Sequence, residues 1–133
     1  MAVMSYLNER ARLLRETKRL LKKGWTQKVF ARDASGDPES QHSETAVCWC
    51  LTGALSRASE YKNISYENYV SVRQLLDEFI HTETDTWWTM TTWNDQEGRT
   101  QQEVIALVDK AYREVKRQQL ELEATRDLKK APV

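Results

Sequence analysis

The chain is 133 residues long, the size of one ordinary domain, with 20 Lys/Arg against 20 Asp/Glu and a formal net charge of zero. Neutrality argues against a dedicated DNA-binding protein, and no apolar run approaches the roughly 20 residues of a membrane span. Two prolines and four glycines fit a helical domain better than a β-sandwich, which needs many Gly/Pro turns.

The charge is unevenly spread. Residues 1–32 carry nine Lys/Arg and two Asp/Glu, whereas residues 33–100 carry four and twelve. A solvated basic helix beside an acidic middle accounts for this, and so does a basic helix that meets nucleic acid or an acidic protein. Asn8-Glu9-Arg10 follows close on the N-terminus, so no secretory signal is expected and a cytoplasmic setting is.

From Tyr6 to Lys23, Leu7, Ala11, Leu14 and Leu21 recur at helical spacing, widened by Leu13 and Leu20, and Arg and Lys fill the other side. Gly24 ends this helix after a last turn of lysines. Trp25 to Arg32 reads as a short extended segment, and Asp33-Ala34-Ser35-Gly36-Asp37 as the turn of a small hairpin within about 25–38.

Thr45 to Ser59 is apolar nearly all round, which predicts a buried central helix capped by Ser43 or Thr45, with small residues Ala46, Cys50, Gly53 and Ala54 admitting another helix. Ser65 caps a further helix to Ile80 with Tyr69, Val72, Leu75, Leu76 and Phe79 as its apolar face. Trp87, Met90 and Trp93 are spaced for a short helix, although the threonines around them disfavour it. Thr100 to about Leu122 is the last helix. It opens on a capping box of Thr100 and Glu103, preceded by Gly98 in a left-handed turn. Its stripe thins at Gln118 and Gln119. The expected whole is one mainly α domain over 1–133. Four or five helices and a small irregular or β-hairpin segment form a core at about 5–117, and 118–133 makes an extended or frayed helical tail.

Cys48 and Cys50 are too close in sequence to bridge well. With His42 they are the candidates for a cysteine-dependent hydrolase or transferase, against the plainer reading of small buried apolar residues. The C-x-C pair and two dispersed histidines lack the paired spacing of a zinc site, and no motif asks for a cofactor. Trp25, Arg32, Asp33, Trp93, Asn94, Asp95 and Arg99 are the candidate binding residues, because turn and capping physics does not require their side chains. Five tryptophans are more than so small a core buries without indole N–H partners, so some are expected at the surface.

The stretches "GWTQKVFARDASGD", "AVCWCLTGAL" and "WNDQEGRTQQEVIALVDKA" resemble an uncharacterised family of small bacterial and bacteriophage proteins. The matching positions are Gly24-Trp25-Thr26-Gln27, Ala31-Arg32-Asp33 with Gly36, Trp49-Cys50 with Gly53-Ala54-Leu55, and Trp93-Asn94-Asp95 with Gly98-Arg99-Thr100 and Glu103-Val104. The resemblance spans about 5–115 and brings no activity with it. It implies that the hairpin turn, the central helix and the start of the last helix form one unit.

The reading these features favour is a non-enzymatic, cytoplasmic binding module with a protein partner, encoded by a phage and acting on a host protein. Leftover apolar positions on the first and last helices suit a homodimer. The alternatives are the cysteine enzyme and nucleic-acid binding through the basic first helix.

Overall fold

The computed structural model describes residues 2–130. Five helices, α1 (Ala2–Lys23), α2 (Leu51–Tyr61), α3 (Tyr66–Thr84), α4 (Met90–Asn94) and α5 (Gln101–Lys130), surround three two-residue strands, β1 (Ala31–Arg32), β2 (Pro38–Glu39) and β3 (Cys48–Trp49). The protein is mainly α with a small antiparallel sheet, as its periodicity and turn chemistry require.

The hub of the fold is α1, which packs against α2, α3 and α5. Its stripe is buried as spaced: Leu7, Ala11, Leu13, Leu14, Leu20 and Leu21 all enter the core. Each such leucine contributes about 1.5–3 kcal/mol of transfer free energy. The helix runs antiparallel to α5, fixed by Lys18 Nζ on Asp109 at 2.7 Å and by Gln101 Nε2 donating to the Leu21 carbonyl at 2.8 Å. Near the other end of the pair, Gln119 donates to Asn8 at 2.6 Å. The glutamine that breaks the apolar stripe is therefore buried for a polar contact, and packing continues to the half-buried Leu122, past the expected core limit of 117. Residues 123–129 are helical and exposed. The rest of the expected tail, 131–133, lies outside the described residues.

The segment expected to form one helix from Thr45 is divided. Cys48–Trp49 is a strand, and α2 begins only at Leu51, with Cys50 rather than Ser43 or Thr45 as its N-cap. The cause is edge pairing: Ala31 opposes Trp49 and Arg32 opposes Cys48 on one side of β1, while Ala31 opposes Glu39 and Arg32 opposes Pro38 on the other. Backbone bonds from Trp49 N to the Gly24 carbonyl and from Thr26 N to the Trp49 carbonyl, each 3.1 Å, pull the same stretch into extended form. Apolar residues all round reflected a short, partly buried strand followed by a largely buried helix, two elements that periodicity alone does not separate.

Gly53 also has a different neighbour from the one its small size suggested. A Cβ there would lie 2.2 Å from the Phe30 carbonyl oxygen, so the residue admits the backbone entering β1, not a second helix. Ser65 caps α3, accepting from Asn68 N, and the Ser65 N–H donates to Glu9, which ties this cap to α1. The helix continues four residues past Ile80 to Thr84 and ends on a left-handed Asp85. The short α4 is capped by Thr89, whose hydroxyl accepts from Thr92 N at 3.1 Å, so one of the threonines that disfavour a helix interior sets its start.

Candidate functional site

The loop before α5 and the segment after α1 meet as their sequences led one to expect, and Asn94 joins them. It is fully buried, and its Oδ1 accepts from the Trp25 indole at 2.8 Å and from Leu51 N at 3.1 Å. Its Nδ2 donates to the Thr26 carbonyl at 3.2 Å and to Asp95 Oδ1 at 3.0 Å. Asp95 Oδ1 also accepts from Lys28 N at 2.9 Å, and Gln27 Nε2 bridges the carbonyls of Asn94 and Gln96. Lys28 holds a φ of 78°, a left-handed backbone that the Asp95 contact helps to fix.

Arg32 turns inward from β1, donating to the Thr26 hydroxyl at 2.7 Å and to the Gln27 and Gly36 carbonyls at 3.1 Å each. Among the described residues the Asp33 carboxylate accepts only from the turn amides of Ser35 and Asp37, at 2.9 and 3.0 Å. The Arg99 guanidinium carbon lies over the Trp93 ring, 3.9 Å from its centroid. It donates to the Trp93 carbonyl at 2.9 Å and to Glu103 at 3.2 Å. Its ion-pair partner is thus the acid of the capping box, neither Asp33 nor Asp95. Thr100 and Glu103 make the expected box, Thr100 N donating to Glu103 at 2.9 Å and Glu103 N to the Thr100 hydroxyl at 3.2 Å. The backbone bond from Thr100 holds the Glu103 carboxyl below its usual range.

All seven candidate binding residues therefore lie in this region, and their polar groups are largely taken up by hydrogen bonds within it, except the buried Trp93 indole N–H, which has no partner among the described residues. Trp25, Asn94 and Asp95 form one cluster, Arg32 braces it through Thr26 and Gln27, and Arg99 seals Trp93 from the far side. The arrangement is a latch that closes the helix–strand junction onto the start of α5. None of the described clefts is lined by these seven residues.

Cys50 is buried, and its sulfur accepts from Gly53 N at 3.3 Å as the cap of α2. Burial pushes its thiol up, away from the thiolate a nucleophile needs. Cys48 lies in β3, half-buried, with its sulfur 4.0 Å from the Arg32 carbonyl. His42 is occupied elsewhere: its Nδ1 is 2.8 Å from Glu60 and its Nε2 3.4 Å from the Ser56 hydroxyl. That is the order of an acyl-transfer relay. Ser56 sits inside α2, however, where neighbouring backbone N–H groups are committed to the helix and cannot form an oxyanion hole. This geometry lends the cysteine reading no support. Among the described residues no group of three or more His, Cys, Asp or Glu is placed to hold a metal ion, and no helix is long and apolar enough to cross a membrane.

A cleft of about 450 Å³ opens between α3 and the loop before α4, lined by Gln74, Asp77, Glu78, Trp87, Trp88 and Thr89. Trp87 is 68% exposed, yet its ring stacks on His81 with centroids 3.7 Å apart and planes 6° from parallel. Trp88 is half-buried against the core. Asp77 is half-buried, and its carboxylate accepts no hydrogen bond among the described residues. Burial raises its carboxyl, only partly offset by Arg73.

Residues 5–114 match a family of unknown function, DUF6197. The chain belongs to this family. No curated protein and no solved structure matches it. The DUF6197 span takes in the sheet, the latch, the Trp87 cleft and the first half of α5.

In this DUF6197 chain the cleft was the feature that sequence reasoning passed over. Asp77 and Glu78 fall off the apolar face of their helix, Trp87 fits the spacing of a short helix, and Trp88 counts only toward the tryptophan excess. The usable signal was the Trp-Trp pair itself. It lies in a threonine-rich stretch where the spacing of Trp87, Met90 and Trp93 leaves Trp88 off their face, so no single helix face was available to bury both rings.

Proposed function

We propose that this protein is a non-enzymatic interaction module that captures a partner protein through a cationic side chain, an arginine or lysine, in the Trp87–Trp88 cleft. The observation that carries the reading is Trp87, a large ring left two-thirds exposed but held in place by stacking on His81, beside an unpartnered acid. Exposed tryptophans held rigid are the usual anchors of protein contacts, because little conformational freedom is lost when they engage. A guanidinium or ammonium group over an indole face gains cation–π energy, more when water is excluded. Asp77 adds the complementary charge, and the attraction of a bound cation would offset the desolvation its carboxylate already bears. A partner held this way suits a small factor acting on a host protein.

The test is a titration of the isotopically labelled protein with the peptide acetyl-Gly-Arg-Gly-amide and with its glutamine counterpart, followed by the five indole N–H signals in NMR. The arginine peptide should shift Trp87 and Trp88 selectively. Asp77→Asn should weaken binding about fivefold or more, a loss typical of one charged contact, while raising the melting temperature at neutral pH by removing a disfavoured charge. Equal shifts with the glutamine peptide, or unchanged affinity in Trp87→Ala, would sink the reading.

A further inference from the structure

A second cleft, of about 480 Å³, lies between α1 and the end of α2 and has the opposite chemistry. Its walls are Arg12, Arg15, Glu16, Arg19, Tyr61 and Lys62. The one acid among them is already engaged, since Glu16 is buried and pairs with Arg19. Arg12, Arg15 and Lys62 make no ion pair with a carboxylate among the described residues, and Arg15 donates only to the Tyr112 hydroxyl at 3.4 Å. Three cations therefore line an open groove with no described carboxylate at ion-pair distance, Glu9 standing near Arg12 on the same helix. Tyr61 stands beside them, 72% exposed, with the Lys62 ammonium 5.2 Å from its ring centroid.

We infer that this groove binds a short stretch of single-stranded nucleic acid, with phosphates on Arg12, Arg15 and Lys62 and a base stacked on Tyr61. Guanidinium forks match phosphate oxygens in geometry as well as charge. An exposed aromatic ring between cations is the platform on which bases stack, whatever their sequence. An acidic peptide would use the cations, but only a nucleic acid carries a planar base for Tyr61 beside every charge. Arg12 and Arg15 are about one turn apart on α1, a rise of roughly 4.5 Å, and Lys62 lies across the groove at the end of α2, so the three cations can meet more than one phosphate of a strand. The zero net charge of the whole chain does not oppose this, because the Lys/Arg excess is concentrated in residues 1–32, which include α1.

The experiment is fluorescence anisotropy of a labelled ten-nucleotide oligothymidine titrated with the full chain at low salt. Binding is expected between roughly 1 and 100 μM, with a log–log salt slope near −2 for about three phosphate contacts to a single strand. Arg12→Glu with Arg15→Glu should weaken binding at least tenfold and flatten the slope. Tyr61→Ala should weaken it about tenfold, the loss of one stacked base, and leave the slope unchanged. Tyr61 and both arginines are exposed, so the variants should fold, which circular dichroism checks. Absence of binding at low salt overturns the inference. So does full affinity in Tyr61→Ala, which would mean an indifferent polyanion contact. Trp87→Ala should leave oligonucleotide affinity unchanged, which keeps this outcome separate from the fate of the Trp87 cleft.

Discussion

Asn94 shows how a residue that looks like a ligand-binding group can be consumed by the fold. Asn-Asp before a glycine turn reads as loop chemistry, and an amide beside Trp93, Asp95 and Arg99 invites a substrate. In the structure both ends of the amide are used internally, by an indole and a backbone N–H on the oxygen and by a carbonyl and a carboxylate on the nitrogen. The buried Leu51 N–H has this oxygen as its partner, so Asn94→Ala leaves that donor without one as α2 begins. We expect a destabilisation of about 2–3 kcal/mol in urea unfolding, the cost of an orphaned buried donor plus a lost indole bond. Asp95→Ala should cost clearly less, since Asp95 is only half-buried and water can reach the groups it leaves. Equal effects at the two positions would mean that the latch is held at its surface, not at Asn94.

At the scale of elements, the sequence was legible where one element owned its own pattern. The α1 stripe, the Ser65 cap, the hairpin turn and the Thr100–Glu103 box are local, and each was readable from residues within a few positions of one another. It was illegible where partners far along the chain decided the outcome. Cys48 and Trp49 have no local reason to leave a helix. They do so because β1 on one side and Gly24 on the other take their backbone groups. The Trp87 cleft was hidden for the same reason, since Asp77 and Trp87 belong to different elements and only the end of α3 brings them together. Gly53 tests this account of the β1–α2 junction. A methyl group there meets a carbonyl oxygen of the main chain, which cannot rotate away like a flexible side chain. Gly53→Ala should therefore destabilise by about 1–3 kcal/mol, the range for overpacking, although alanine favours a helix interior by roughly 1 kcal/mol. A chemical denaturation midpoint that rises instead would show that α2 and β1 are free to separate.

For the molecule as a whole, the question is how far the cooperative unit extends along α5. Leu120 and Leu128 are largely exposed, whereas Gln119 is buried on Asn8 and Leu122 packs against the core. The last side chain held by α1 is thus close to residue 122, and the helix beyond it continues on its own hydrogen bonds. A solvated helix end of this length has little intrinsic stability, because short helices without tertiary packing are marginal in water. The match to DUF6197 stops earlier still, at residue 114, so the Gln119 contact belongs to the part of α5 outside the matched span. Two truncations separate these limits. Stopping the chain after Glu123 removes described residues that are all exposed, and should change unfolding free energy by no more than about 0.5 kcal/mol, as for other surface changes. Stopping it after Arg117 removes the Gln119–Asn8 bond and the apolar cover of Leu122, and should cost about 1–3 kcal/mol. If the longer chain loses as much as the shorter one, the end of α5 is packed against something beyond its own core, and a second copy of the chain, detected by sedimentation, becomes the first candidate for what covers Leu120 and Leu128.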